Sequence, residues 1–191
     1  MKTESTVKYV IRIALTLLAI TAVVAVMDLG YDVKVSEVHG MSQRGGSVET
    51  YVRYGDKVYS PVINQGEADI VLAFEQLEAA RFLPFLKKGG VVVTNTQQID
   101  PMPVVTGTAQ YPQGLLDQIR AQGAGLLAID ALSLAEQAGS VKAVNVVLIG
   151  AMAKSLGTEK EIWLKTIEKT VPPKFVEMNK RAFELGYAAE E

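Results

Sequence analysis

The chain of 191 residues contains no cysteine and a single histidine, His39. The lack of cysteine excludes disulfide bonds, a cysteine nucleophile, zinc ribbons and cysteine-ligated iron–sulfur clusters within this chain. With one histidine, the chain cannot supply a multi-histidine metal site or a pair of catalytic histidines. Several large classes of metalloprotein and thiol enzyme are thereby excluded.

An excess of positive charge is also missing. Nineteen Lys and Arg residues stand against 21 Asp and Glu residues, which gives a net charge of −2. Non-specific binding of nucleic acid needs a basic field, so this balance argues against it. Hydrophobic residues make up 49% of the chain and charged residues 21%. This composition and length indicate a folded globular domain, alone or with a small appendage.

A long hydrophobic run is lacking, although Ile13–Met27 has 15 residues without a charge. The run follows basic residues and therefore has the outline of a secretory signal, but a membrane span needs about 20 apolar residues. Arg12 interrupts the apolar pattern, Val26 and Met27 occupy the place where a cleavage site needs small residues, and Gly30 is typical of a helix end. We therefore expect a buried strand and helix in a cytoplasmic protein, with a signal-anchored protein as the alternative.

Hydrophobic periodicity predicts strands that alternate with helices. The predicted strands are residues 7–13, 33–38, 47–54, 68–74, 91–94 and 125–129. The predicted helices are residues 15–29, 75–86, 115–122, 131–137, 145–156, 159–170 and 174–185. This order indicates an α/β fold: one three-layer domain over residues 1–191 with a mostly parallel sheet. A β-hairpin with Lys57–Ser60 as its second arm would make the sheet mixed, and residues 138–191 form a helical C-terminal segment that covers one face or extends to a partner.

Local signals set the expected ends of these elements. Lys87–Gly90 should end the helix at residues 75–86 with cations and a capping glycine. Thr158 and Glu161 have the spacing of a capping box, and Asp130 is an expected N-cap. Ile99–Pro112 carries three prolines, which predicts a loop or an edge segment.

The most unusual stretch of the sequence joins the second and third predicted strands. Its residues with chemistry to offer are His39, Ser42, Gln43, Arg44, Gly45, Gly46 and Ser47. The glycines let backbone N–H groups turn toward a ligand, and Arg44 can bind a phosphate or carboxylate through two hydrogen bonds. Ligands of open parallel sheets bind beyond the carboxyl ends of strands, where this loop begins. The alternative is a polar turn in which Arg44 pairs with Glu37.

Three further polar residues follow predicted strands. Glu75 comes after the strand at residues 68–74, and Asn95 and Thr96 come after the strand at residues 91–94. They can line the same crevice as the loop, or they can serve as N-cap and turn residues. His39 alone is weak support for catalysis, because a single histidine is more often a structural hydrogen-bonding residue.

The run VKVSEVHGMSQRGGSV, residues 33–48, resembles the gamma subunit or domain of 2-oxoacid:ferredoxin oxidoreductases, and within that family the small subunit of the indolepyruvate enzymes. The resemblance spans about residues 30–187. It also includes Tyr59–Pro61, Gly66–Glu75, Asn95–Gln97, Asn145–Gly150 and Val171–Phe175.

The resemblance implies a role within a larger enzyme. That enzyme would oxidatively decarboxylate a 2-oxoacid, join the acyl group to coenzyme A and reduce ferredoxin. Thiamine diphosphate, magnesium and the iron–sulfur clusters would be held by a large catalytic subunit, so this chain would be inactive alone and would bind neither nucleic acid nor a membrane. The loop from His39 to Ser47, with Glu75 and Asn95, would contact coenzyme A or the partner. The alternative is a stand-alone α/β nucleotide-binding module without redox activity.

One departure from the family pattern concerns the first strand. In the family this strand ends in a G-x-G-G-x-G loop, whereas here Val10–Ala14 passes into Leu15–Leu18 without a glycine. Such a loop presents backbone amides to a phosphate at a helix N-terminus. Without it, tight binding of a pyrophosphate at this position is not expected.

Overall fold

The structure is a computed structural model that describes residues 8–11, 24–39 and 48–190. The strands are β1 (Lys8–Ile11), β2 (Asp32–His39), β3 (Val48–Gly55), β4 (Ala68–Ala73), β5 (Leu86–Asn95) and β6 (Gly125–Ile129). The helices are α1 (residues 24–28), α2 (Gln76–Phe82), α3 (Met102–Val105), α4 (Leu115–Ala121), α5 (Ala131–Ala138), α6 (Val144–Leu156), α7 (Lys160–Thr170) and α8 (Val176–Ala188). Single 3-10 turns occupy Leu83–Phe85, Val141–Ala143 and Pro173–Phe175.

The six strands form one mixed sheet in the order β2-β3-β1-β4-β5-β6. β1, β4, β5 and β6 are parallel to one another, while β3 is antiparallel to both β1 and β2. The mostly parallel sheet that was predicted from the sequence is therefore confirmed. Helices cover both faces, as the three-layer expectation requires.

The alternation of side chains along β4 explains why the sheet needs two layers of helices. Ile70 and Leu72 point to one face and pack with α5, α6, α7 and α8. Val71 and Ala73 point to the other face and pack with α2 and α4. Successive residues of a strand face opposite sides, so an uninterrupted apolar strand must be covered on both.

Two glycines set the spacing of α6 and α8, which make the main helix pair of the C-terminal segment. A Cβ atom on Gly186 would lie 2.7 Å from the carbonyl carbon of Val147, and one on Gly150 would lie 2.7 Å from the amide nitrogen of Tyr187. The two backbones thus meet without side chains between them. The prediction that residues 138–191 are helical and cover one face of the sheet is confirmed.

The predicted second arm of the hairpin, Lys57–Ser60, is wrong. Residues 56–67 form no strand, and the hairpin pairs β2 with β3 instead. β3 already has β2 on one edge and β1 on the other, so neither edge is open to a further strand. The amide of Val58 donates instead to the Asp32 carboxylate at 2.9 Å.

The predicted helix over residues 75–86 ends early, and Lys87–Gly90 does not cap it. α2 stops at Phe82, and the 3-10 turn that follows contains Pro84. Proline cannot donate the backbone hydrogen bond that would continue the helix. Lys87–Gly90 lies inside β5, where the register against β4 shifts and Gly89 takes a φ of +79°.

The predicted capping box at Thr158 is also wrong. Glu159 is the N-cap of α7 and makes no side-chain capping hydrogen bond. The Thr158 hydroxyl instead accepts from the indole N–H of Trp163 at 2.8 Å and donates to the carbonyl of Ala153 at 3.0 Å. Asp130, by contrast, is the N-cap of α5 as predicted and accepts from the amide of Ser133 at 3.0 Å.

Part of the N-terminal prediction lies outside the described residues. Residues 24–28 are helical, with Ala25 and Val26 buried, and Gly30 has a φ of +83° just beyond the helix, as the expected buried helix requires. Residues 12–23, where the family's glycine loop would fall, are not described. Among the described residues, no helix is long and apolar enough to cross a membrane.

Candidate functional site

The carboxyl ends of β4, β5 and β6 meet at one edge of the sheet, which we call the carboxyl edge. Parallel strands bring their ends together, so residues far apart in sequence become neighbours there. Glu75 follows β4, Asn95 ends β5 and Asp130 follows β6. Glu75 and Asn95 therefore lie at the same edge of the sheet, and that they line one crevice with the loop after β2 stays a prediction.

Glu75 is only 5% exposed, and its carboxylate is held by three donors. The amides of Leu77 and Glu78 donate to it at 3.0 and 2.6 Å, which makes Glu75 the N-cap of α2. The third donor is the hydroxyl of Tyr111, at 2.7 Å. A carboxylate with three donors is well compensated for its burial.

Tyr111 reaches Glu75 from the segment between β5 and α4. Its hydroxyl also accepts from the amide of Leu77 at 3.1 Å. Burial raises the pKa of the Tyr111 phenol, and the nearby Glu75 carboxylate raises it further. The phenol therefore stays protonated at neutral pH and remains a hydrogen-bond donor to Glu75.

Asn95 is 1% exposed and links β5 to the start of α5. Its side-chain oxygen accepts from the amide of Ala131 at 3.1 Å, and its side-chain nitrogen donates to the Gln97 side chain at 3.3 Å. The contacts of Glu75 and Asn95 are thus those of the alternative prediction, in which both residues serve as cap and turn residues. Their polar atoms stiffen the carboxyl edge from within.

Gln76 and Thr96 complete the hydrogen bonding along this edge. The side chain of Gln76 donates to the carbonyl of Thr96 at 2.6 Å, and the amide of Thr96 donates to the carbonyl of Ile129 at 2.9 Å. The edge is therefore one connected polar layer that joins β4, β5 and β6. Such a layer is a rigid base for whatever binds above it.

The loop that was singled out in the sequence begins at this same edge. β2 is antiparallel to β3, which is antiparallel to β1, so β2 runs in the direction of β1 and β4. The end of β2 at His39 therefore points to the carboxyl edge, with two strands between it and β4, or about 15 Å at the usual strand spacing. Residues 40–47, with Ser42, Gln43, Arg44, Gly45, Gly46 and Ser47, lie outside the described residues, as does the His39 side chain.

Sequence reasoning missed Tyr111 and Gln76. Tyr111 lies in a proline-rich stretch that predicts only a loop, and its contact with Glu75 joins positions 36 residues apart. The available signal was an aromatic residue in an otherwise polar segment, next to Pro112. Gln76 comes one residue after Glu75, so the rule that selected polar residues behind a predicted strand would have included it if applied one residue further.

A hollow in the described residues lies at the opposite edge of the sheet from the carboxyl edge. It has a volume of about 350 Å³ and is lined by Leu83, Leu86, Lys87, Lys88, Gly89, Gln122, Gly123 and Ala124. Two cations, Lys87 and Lys88, line this hollow, and Lys87 already forms an ion pair with Asp69. In the part of the chain that the structure describes, no group of three or more metal-ligating side chains comes together.

Comparison with known proteins agrees with the resemblance carried by residues 33–48. A family model described as pyruvate ferredoxin/flavodoxin oxidoreductase matches residues 14–189. The indolepyruvate oxidoreductase subunit IorB of Thermococcus kodakarensis is 46% identical over 173 residues, which cover 86% of this chain and 84% of that protein. The subunit of the same name from Archaeoglobus fulgidus is 40% identical over 167 residues, which cover 85% of this chain and 83% of that protein.

Solved structures match the fold over nearly the whole chain. The pyruvate oxidoreductase subunit PORC of Thermotoga maritima has a TM-score of 0.72 at 21% identity, with 99% of this chain and 98% of that chain covered. The gamma subunit of a keto/oxoacid ferredoxin oxidoreductase from Geobacter sulfurreducens has a TM-score of 0.67 at 24% identity, with 95% of each chain covered. The α/β fold, the 46% identity and the family match together show that this chain belongs to the pyruvate ferredoxin/flavodoxin oxidoreductase family.

Proposed function

We propose that this chain is the small subunit of an indolepyruvate-type 2-oxoacid:ferredoxin oxidoreductase. The holoenzyme would convert an arylpyruvate, coenzyme A and oxidised ferredoxin to an acyl-coenzyme A, carbon dioxide and reduced ferredoxin, with two electrons transferred. The observation that carries the proposal is the 46% identity to an indolepyruvate oxidoreductase subunit over 84% of that subunit's length. The whole chain, residues 1–191, would act as one domain in the cytoplasm.

The composition supports a division of labour between two polypeptides. Iron–sulfur clusters need cysteine ligands in most proteins, and this chain has none. The donor set here thus does not fit a cluster, and the proposal assigns the clusters, thiamine diphosphate and magnesium to a large catalytic subunit. This chain would contribute binding surface to that subunit and through it to ferredoxin.

The loop after β2 is the part of this chain that we assign to ligand or partner contact. Its place at the end of β2 supports the assignment, because that end points to the carboxyl edge where Glu75 and Asn95 lie. The guanidinium of Arg44 has the fork geometry that phosphate oxygens match. In this proposal Ser42, Gln43, Ser47 and the loop glycines add neutral donors around a coenzyme A phosphate.

Co-expression tests the function. The chain is produced together with the large subunit of an indolepyruvate oxidoreductase, and ferredoxin or viologen reduction is measured with indolepyruvate, phenylpyruvate and pyruvate in the presence of coenzyme A. We expect activity only from the complex, with aryl substrates preferred, and none from either subunit alone. A stable monomer that ignores the large subunit and binds free nucleotide would support the nucleotide-binding module instead.

The Arg44→Ala variant of the complex tests the loop. If Arg44 contacts coenzyme A, the KM for coenzyme A rises while kcat at saturation is kept. If the loop serves the partner surface instead, the variant weakens subunit association and leaves that KM unchanged. An Arg120→Ala variant is the control, because Arg120 is an exposed arginine on α4 that pairs with Asp117.

A further inference from the structure

The segment between β5 and α4 projects from the carboxyl edge. Nearly all of residues 97–110, which we call the projecting loop, is exposed. Three large apolar side chains point outward: Ile99 is 51% exposed, Met102 68% and Val105 65%. Met102 and Val105 are three residues apart in α3, so they share one face of its single turn. A connection of this length without a core of its own is uncommon and is usually functional.

The projecting loop is held in one shape by its own backbone. The carbonyl of Pro103 accepts from the amides of Thr108 and Ala109 at 2.8 and 3.0 Å, and the amide of Val105 donates to the carbonyl of Pro101 at 3.1 Å. Pro101 and Pro103 also restrict the conformations that this stretch can take in the unfolded chain, which favours the folded shape. The apolar side chains are therefore displayed on a preformed surface, and ordering them costs little on binding.

Buried anchors fix both ends of the projecting loop. Asn95 precedes it and is tied to the start of α5. Tyr111 follows it and is tied to the buried carboxylate of Glu75 at 2.7 Å. The loop itself buries almost nothing, so these anchors stabilise a surface whose large apolar side chains belong to neither core cluster of the described residues.

Charge is depleted across this surface. Between Lys88 and Arg120 the sequence contains no cation, and its only anions are Asp100 and Asp117. Within the projecting loop, Asp100 accepts a hydrogen bond from Gln98 at 2.8 Å. A loop without cations offers no cationic contact to a nucleic acid or to an anionic membrane. Exposed methionine with few charges is the composition of an interface core between proteins.

The size and position of the surface indicate a large partner. The three apolar side chains present on the order of 300 Å², which is a functional patch on a monomer but less than the ~800 Å² that one side of a standard interface needs. A partner must therefore reach further along the carboxyl edge. β2 ends at that edge too, so a partner that lies along the edge would reach from the projecting loop to the end of β2.

We infer that the projecting loop is a docking surface for the large catalytic subunit, with Met102 and Val105 as its anchors in a neutral, apolar pocket of that subunit. The inference rests on the proposed function, which supplies the partner. Burial of these two exposed apolar side chains stabilises the interface. Because the residues of α3 around them are uncharged, no charged group of α3 has to lose its water on binding.

Direct binding between the purified subunits tests this. The Met102→Glu and Val105→Glu variants each place a carboxylate in the docking surface, and each should raise the Kd for the large subunit at least tenfold. The matched control is Val141→Glu. Val141 is 53% exposed and follows α5, which begins at the carboxyl edge and runs away from it. Because Val141 lies far from the docking surface, the Val141→Glu variant should bind the large subunit with an unchanged Kd. All four proteins should have the same thermal melting curve, because the substituted side chains are exposed.

The outcomes separate this inference from the proposed function. If the unmodified chain does not bind the large subunit, the proposed function fails. If it binds and the Met102 and Val105 variants bind within twofold of it, or the Val141 variant is weakened equally, the inference alone is overturned. Amide hydrogen exchange across residues 97–110 should also slow in the complex, and unchanged exchange there overturns it. Self-association of the isolated chain, or binding to lipid vesicles, that Met102→Glu abolishes would assign the surface to another occupant.

Discussion

Replacing Gly186 with alanine should destabilise the protein strongly, although alanine is the better helix former. Alanine in place of glycine stabilises a helix interior by about 1 kcal/mol. Here the added Cβ would lie 2.7 Å from the carbonyl carbon of Val147 and closer still to its oxygen. Both contacts are to backbone, so no side-chain rotation relieves them.

The magnitude follows from the distance. Carbon atoms pack at about 3.5–4.0 Å, and the Val147 oxygen lies closer to the added Cβ than the carbon does, so α8 would have to move away from α6 by more than about 1 Å. That shift loosens the contacts of Phe183 and Met152, which are fully buried in the same core. Overpacking a core costs about 1–3 kcal/mol, and a rigid backbone clash lies at or above the upper end. We therefore expect a net loss of about 3 kcal/mol for Gly186→Ala.

Urea unfolding of the purified chain measures the effect as a lower midpoint at an unchanged slope. Gly157→Ala is the control. Gly157 has a φ of +65° and open space around its Cβ position, so alanine there meets only backbone strain of about 1–2 kcal/mol. If Gly186→Ala is as stable as the parent or more so, then helix propensity decides and the argument from close packing of α6 and α8 is refuted.

Three further substitutions test single contacts. Tyr111→Phe removes a hydroxyl that donates to the buried Glu75 carboxylate, so the free energy of unfolding should fall by about 1.5–3 kcal/mol, whereas an unchanged urea midpoint would show that water replaces the hydroxyl. Asp130→Ala removes the N-cap of α5 and should cost about 1 kcal/mol at pH 7. Hydrogen bonds from Ser133 lower the folded-state pKa of Asp130, so this stabilisation is present above the ordinary pKa of 3.8 and is lost as the pH falls through the lower folded value. In acid denaturation the difference in stability between parent and variant should therefore shrink below about pH 4. A difference that stays constant would contradict this sign. Thr158→Val leaves the buried indole N–H of Trp163 without its acceptor and should cost about 1–3 kcal/mol, with Thr158→Ser as the conservative control, and the fluorescence of this single tryptophan should change only in the valine variant.

The parts of the fold that sequence predicted best are those set by local chemistry. The apolar run at residues 68–74 becomes β4, Asp130 caps α5, and Gly30 follows the helix at residues 24–28 with a left-handed backbone. In each case the residues that fix the outcome lie within a few positions of one another. Periodicity and capping rules therefore suffice for them.

The errors arise where distant residues decide. Lys57–Ser60 has the pattern of a hairpin arm, but β1 and β2 occupy both edges of β3, and β1 lies far away in sequence. Thr158 has the spacing of a capping box, but its hydroxyl is taken by Trp163. The candidate site follows the same division: strand ends located Glu75 and Asn95, whereas Tyr111 depends on a tertiary contact that no local pattern encodes.

The position of β1 in the sheet has a consequence for the order of folding. β1 is synthesised first, yet its two neighbours are β3 and β4, at residues 48–55 and 68–73. On the ribosome, β2 and β3 can form their hairpin as soon as both emerge, whereas the other edge of β1 stays open until β4 is available. The first strand therefore pairs only with strands that are distant in sequence, which raises the contact order and slows folding. A chain shortened past Ile11 would keep the hairpin and the parallel strands but lose the strand that joins them.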